Sequence, residues 1–128
     1  MLLSIVVGFV VMFGLAGLFH LVIMKDYFEA KAGVMTSMMY PMLSYFILAI
    51  LMSYLYPLMK GGGSAIKDGL CFGIVVGLLC RVPLQVLHLG YGTGDWGFII
   101  TEGVWHSIEE GIGGIAIAMV YGRMGAAA

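Results

Sequence analysis

The sequence predicts an all-α protein, a bundle of four transmembrane helices, and three observations support this prediction. Hydrophobic residues make up 62% of the chain and charged residues only 10%, far from the composition of soluble proteins. Four segments reach the roughly 20 mostly apolar residues that a helix needs to cross a bilayer. None of them alternates as the strands of a β-barrel do. We expect one integral-membrane domain over residues 1–128, with helices at about 1–24, 35–59, 69–91 and 97–122.

The links between the four segments are short, so neighbouring helices should run antiparallel in an up-down-up-down order. In that order Lys60, Lys67 and Arg123 lie on one side of the membrane, and Lys25 and Lys31 lie on the other. The positive-inside rule then places both termini and the Gly-rich middle loop in the cytoplasm. A net charge of -1 offers no basic surface, which argues against nucleic acid as a partner.

The first two helices each carry polar residues toward the non-cytoplasmic side. Helix one opens with MLLSIVV, which lacks the positive start of a signal peptide, so we interpret it as a spanning helix. His20 lies near its far end, five residues before Lys25. Tyr40 and Ser44, early in helix two, are expected at a similar depth.

Helix three combines a glycine stripe with a polar stripe on the same face. Its glycines recur every four residues, the spacing that lets two membrane helices approach backbone to backbone. The same face continues with an arginine, a glutamine and a histidine. Cys71 and Cys80 lie too far apart along one helix to form a disulfide with each other. The shared face of helix three comprises Gly69, Gly73, Gly77, Arg81, Gln85 and His88.

Helix four carries Glu102, His106 and Glu109 on one face, with Glu110 on its flank. Such side chains should face the interior of the bundle, because a charge exposed at the middle of the bilayer costs at least about 2.5 to 3.5 kcal/mol. Depths counted from the charged residues at the cytoplasmic ends place Arg81 level with Glu110. We therefore expect Arg81 to pair with Glu109 or Glu110, and the other carboxyl to be protonated.

The histidines His20, His88 and His106 are expected in the same half of the bundle. Each alone is more typical of a hydrogen-bonded interior side chain than of a ligand. Together, with Glu102 and Glu109 near, they suit a site for Zn, Cu or Fe, or two of them could be the axial ligands of haem b.

The stretches FHLVIMKDYF and WHSIEEGIGG resemble those of small four-helix bacterial inner-membrane proteins of unknown function. This resemblance implies a bacterial inner membrane and assigns no activity.

Three functions fit the sequence, and a non-enzymatic one is favoured. No nucleophile and base stand at a motif spacing, so no reaction class is assigned. The first is a non-enzymatic subunit or accessory component of a larger membrane assembly or a homo-oligomer, with the polar core as internal structure. The second is a small transporter or channel for protons, metal ions or another small solute. The third is a metal- or haem-binding membrane redox protein.

Overall fold

The computed structural model of the chain describes residues 1–126. These residues are almost entirely helical and none of them forms a strand, so the all-α prediction is confirmed. A π-helical turn at Phe19–Ile23 continues the first helix. The five α-helices are α1 (Leu2–Leu18), α2 (Lys25–Ala32), α3 (Met39–Met59), α4 (Ala65–Gly90) and α5 (Trp96–Ala126).

Three stretches are long and apolar enough to cross a membrane: Leu2–Ile23, Met39–Met59 and Ala65–Gly90. The last of these stretches begins at Ala65, before the helix start predicted at about residue 69. The side chain of Ser64 accepts a hydrogen bond from the backbone N–H of Lys67 and caps the helix, so the charged Lys67 and Asp68 fall inside its first turn.

The first connection contains the short helix α2, which the sequence did not predict. Its side chain Phe28 is buried and packs against Phe19 and His20 of the π-helical turn. The helix ends at Gly33, whose φ of 86° is a conformation that suits glycine. Because of these aromatic contacts, α2 covers one end of the bundle instead of forming a loose loop.

The interface between α4 and α5 is the closest in the protein. The two helices run antiparallel, and three glycines of α4 lie directly on the backbone of α5. A Cβ atom at any of these glycines would overlap that backbone, so no larger residue fits without moving a helix. The opposed pairs are Gly69 with Gly114, Gly73 with Glu110, and Gly77 with His106.

The half of the bundle near the chain termini has an apolar core. Met12 of α1, Met52 and Tyr56 of α3, and Ile117 of α5 are all buried there. Helix α3 packs mainly against α1 and makes few contacts with α4 or α5. An opening between α3 and α4 is the result, and Arg81 lies beside it.

Lys31 of α2 and Asp95, just before α5, form an exposed salt bridge at the end of the bundle that α2 covers. The hydrogen bond from Lys31 lowers the pKa of Asp95, and the same bond raises the pKa of Lys31. The lowered pKa means that the bridge stabilises the fold above the ordinary pKa of aspartate, and this contribution is lost as the pH falls through the lowered value. For Lys31 the contribution is lost as the pH rises through its raised pKa.

We expect the substitution Lys31→Ala to move the titration midpoint of the Asp95 carboxyl upward, as measured by ¹³C NMR. Lys25→Ala is the matched control, because Lys25 lies on the same helix but pairs with Glu29. An Asp95 midpoint that is the same in Lys31→Ala and in the wild type would contradict the bridge.

Candidate metal centre

Helix α5 directs four ionisable side chains into the bundle, because their spacing repeats with the helical period. They are among the least accessible residues of the protein: the exposed fraction is 3% for Glu102, 2% for His106, 0% for Glu109 and 1% for Glu110. The opposite face of α5 is apolar. The sequence-based placement of these four residues in the interior agrees with their burial.

His20 reaches this cluster from the π-helical turn at the end of α1. Its Nδ1 lies 3.0 Å from the carbonyl oxygen of Ala16, and its Nε2 lies 3.0 Å from Oε1 of Glu102. A carbonyl oxygen can only accept, so Nδ1 carries a hydrogen and donates it. Without a further proton, Nε2 and the carboxylate of Glu102 would direct lone pairs at each other. Either a proton or a metal ion must therefore lie between these two atoms.

The hydrogen bonds of His106 fix its tautomer. Nε of Arg81 lies 2.8 Å from Nε2 of His106, and since a guanidinium only donates, Nε2 must hold a free lone pair. The hydrogen of the neutral imidazole is then on Nδ1, which donates to Oε1 of Glu110 at 2.9 Å. His106 is therefore neutral in this arrangement, and its Nε2 lies 3.5 Å from Oε2 of Glu102.

Arg81 is paired differently from the sequence-based expectation. Its Nη2 lies 3.6 Å from Oε2 of Glu102, and neither Glu109 nor Glu110 forms an ion pair with it among the described residues. Arg81 would be level with Glu110 only if Asp68 and Arg123 lay at the same depth. Because α5 extends well past the start of α4, the true partner of Arg81 lies about two turns earlier on α5 than Glu110.

Glu109 and Glu110 each keep one oxygen without a partner. Trp105 donates its indole N–H to Oε2 of Glu109 at 2.6 Å, and Glu110 is held by His106. Oε1 of Glu109 and Oε2 of Glu110 are buried and accept no hydrogen bond from any described residue. Unpartnered carboxylate oxygens are costly in the interior unless they bind a proton or a cation.

The remaining candidates of helix three lie outside this cluster. His88 is exposed at the end of α4, with its Nδ1 3.4 Å from Oγ1 of Thr93. Gln85 and His88 both line a polar cavity of about 370 Å³, which we call the vestibule, together with Arg81, Thr93 and Asp95. The three histidines are thus not one group: His20 and His106 lie beside Glu102, whereas His88 lies outside the cluster and lines the vestibule.

Three aromatic residues of the site were not identified from the sequence. Trp105 stacks on Phe19 with ring centroids 3.9 Å apart and orients Glu109. Tyr45 of α3 is buried beside the same carboxyl, and Phe28 packs on the ring of His20. Trp105 was detectable, because it precedes Glu109 by one helical turn; the other two required the tertiary fold.

Two sets of side chains bring possible metal-binding atoms within 4.8 Å of one another. One is His20, Glu102 and His106, and the other is His106, Glu109 and Glu110. The second set would need Nδ1 of His106 as a metal ligand, but this nitrogen already carries the hydrogen that it donates to Glu110. In the first set both imidazoles direct Nε2 toward the carboxyl of Glu102.

Comparison with known proteins finds no matching family model and no significant match to a curated protein or a solved structure. The geometry of the buried cluster is therefore the basis for assigning a function.

Proposed function

We propose that the protein is a small integral membrane protein that binds one divalent transition-metal ion through His20, Glu102 and His106. The observation that carries the proposal is the orientation of the two imidazoles. Each uses Nδ1–H in a hydrogen bond, to the carbonyl of Ala16 or the carboxyl of Glu110. Nε2 of His20 then lies 3.0 Å from the carboxyl of Glu102, and Nε2 of His106, which accepts from Arg81, lies 3.5 Å from it. Metal-binding histidines typically donate their other N–H in this way, which fixes the tautomer and the ring orientation.

The donor set defines the class of metal. Two imidazole nitrogens and one carboxylate suit Zn²⁺ or Fe²⁺ better than Ca²⁺ or Mg²⁺, which prefer oxygen ligands. The carboxyl of Glu102 contacts His20 and lies near His106, so it occupies the space that a haem ring between two axial imidazoles would need. Of the cofactors expected from the sequence, a bare metal ion fits this arrangement and haem does not.

The charge of the cluster also favours a divalent cation. With Glu102, Glu109 and Glu110 ionised and the imidazoles neutral, the three negative charges face the single positive charge of Arg81. A divalent ion, bound protons or both would reduce this excess of negative charge, because buried charges are stable only when they are paired or coordinated.

Metal binding requires Arg81 to move, because its Nε occupies the lone pair of His106 that the metal would use. The Arg81 side chain is 42% exposed and borders the vestibule, so there is space to receive it. The vestibule also provides a route by which a hydrated ion could reach the site.

The polar region is closed toward the chain termini, which favours binding over passage through the protein. Beyond Glu110 the interior consists of the apolar core around Met12, Met52 and Ile117, and α4 and α5 lie backbone to backbone. A transporter would need this layer to separate. A role as an accessory subunit is compatible with the proposal, because a bound metal ion does not imply a reaction.

We further propose that α5 is the fourth spanning helix of the predicted bundle. It has 31 residues, more than the roughly 20 that a bilayer requires. Its acidic side chains between Trp96 and Tyr121 are buried, while its outward side chains are large and apolar, as expected of a surface in contact with lipid. These outward residues are Ile100, Val104, Ile108, Ile112 and Met119.

The proposal is tested by metal binding to protein purified without an oligohistidine tag, stripped with a chelator and supplied with Zn²⁺ or Co²⁺. We expect one tightly bound ion per chain, measured by elemental analysis and by the visible spectrum of Co²⁺. His20→Ala and Glu102→Gln should each weaken binding by at least about 100-fold, since each removes a ligand.

His88→Ala is the matched control, because it removes an exposed histidine of the vestibule and leaves the proposed ligands intact. It should bind metal as the wild type does. Protein that retains no metal, or that loses it in His88→Ala and keeps it in His20→Ala, would overturn the proposal.

A further inference from the structure

A second cavity lies between α1 and α3 and is also lined by Arg81. Its volume is about 180 Å³. Its walls are apolar, with Phe13 and Leu21 among them, and its inner end is polar, formed by His20, Ser44, Tyr45 and Arg81. We propose that this lateral cavity binds the head of a fatty acid, with Arg81 receiving the carboxylate.

Arg81 has hydrogen-bond donors to spare for such a ligand. Only its Nε is used in a hydrogen bond, to His106, and its Nη2 is 3.6 Å from Glu102. No described residue accepts a hydrogen bond from Nη1 or Nη2. A guanidinium offers two parallel N–H groups that match the two oxygens of a carboxylate, which makes an acidic head the complementary ligand.

The lining of the lateral cavity suits an anion better than the linings of the other openings beside Arg81, although Glu102 lies 3.6 Å from Nη2 of Arg81 outside that lining. No aspartate or glutamate is among its lining residues, and the hydroxyl groups of Ser44 and Tyr45 add donors. The opening between α3 and α4, which also borders Arg81, contains Glu110 and would repel a carboxylate. Of these two sites beside the same guanidinium, the lateral cavity is the one suited to an acid.

The size and mouth of the lateral cavity favour a single-chain amphiphile. It is smaller than the roughly 300 Å³ of pockets that enclose a whole drug-sized ligand, so it would take the head and the first part of one chain. Leu21, Met35 and Met38 are partly exposed around it, which lets the remaining chain lie in lipid.

A second copy of the protein is not the expected source of this carboxylate, because its own carboxylates outside the buried cluster lie in the connections and at the helix ends. They are Asp26, Glu29, Asp68 and Asp95.

The inference is tested by labelling the purified protein in nanodiscs with a palmitic acid that carries a photoreactive diazirine. Mass spectrometry should locate the label on α1 and on residues 35–45, and unlabelled palmitic acid should compete at least tenfold better than its methyl ester. Arg81→Gln should abolish this preference for the acid, and Arg81→Lys should retain part of it.

Two glycines of α1 provide a test that leaves Arg81 intact. Gly17 lines the lateral cavity and Gly14 does not, and a side chain at either position would enter open space. Gly17→Phe should fill the cavity and lower labelling at least tenfold, whereas Gly14→Phe should label like the wild type. These readouts use protein without added metal, so they do not depend on the metal site.

Equal competition by the acid and its methyl ester would overturn the inference, as would undiminished labelling of Gly17→Phe. Stronger competition by phosphatidic acid than by palmitic acid would also overturn it, because the ligand would then be a phospholipid headgroup.

Discussion

Gly73→Ala is expected to prevent α4 and α5 from packing and to leave little folded protein. A Cβ at this position would overlap the backbone carbonyl of Glu110, and no side-chain rotation relieves an overlap with backbone. Overpacking in a tight core costs typically about 1 to 3 kcal/mol, and a contact with backbone belongs at or above the top of that range. The measurement is the unfolding midpoint in mixed detergent and dodecyl sulfate micelles.

Gly14→Ala is the control for this substitution. Gly14 also lies within a helix, but a Cβ there meets no atom within 4 Å. Because alanine is the better helix former, the control should be neutral or stabilise the protein by up to about 1 kcal/mol. A Gly73→Ala protein that unfolds at the midpoint of the wild type would show that the two helices are not in backbone contact.

His106→Ala is expected to destabilise the protein strongly even when a chelator is present. The substitution removes the acceptor for Nε of Arg81 and the donor to Glu110 together. Hydrogen bonds to charged groups contribute roughly 1.5 to 3 kcal/mol each, so the loss should be about 3 kcal/mol or more. The same unfolding assay measures it, and metal binding should be lost as well.

His88→Ala again provides the comparison, because His88 is exposed and its side chain contacts only Thr93 among the hydrogen bonds described. Its unfolding midpoint should lie within about 0.5 kcal/mol of the wild type. If the two substitutions had equal effects, the buried network around His106 would not contribute to stability.

Much of the helical architecture was predictable from hydropathy and from the positions of charged residues. The four long apolar segments correspond to helices, although Ser64 starts α4 earlier than the charges of Lys67 and Asp68 suggested. Helix α2 was not predictable, because its sequence KDYFEAKA is polar and its stability depends on burying Phe28 against the bundle.

The sequence placed Glu102, His106 and Glu109 together in the interior, but it grouped His88 with the other histidines and paired Arg81 with the wrong glutamate. Helical periodicity alone brings Glu102, His106 and Glu109 to one face of α5. The register between α4 and α5 is set instead by the glycine contacts, which place Arg81 beside Glu102. The orientation of His20 depends on a π-helical turn, and such turns have no reliable signal in a single sequence.

The most direct test of the metal site is X-ray absorption at the zinc edge, on protein loaded with one equivalent of Zn²⁺. The proposal predicts two imidazole nitrogens and a carboxylate oxygen at about 2.0 to 2.2 Å from the metal. It also predicts one imidazole fewer in His20→Ala. A wild-type spectrum with only oxygen ligands, or one that is unchanged in His20→Ala, would contradict metal binding by His20, Glu102 and His106.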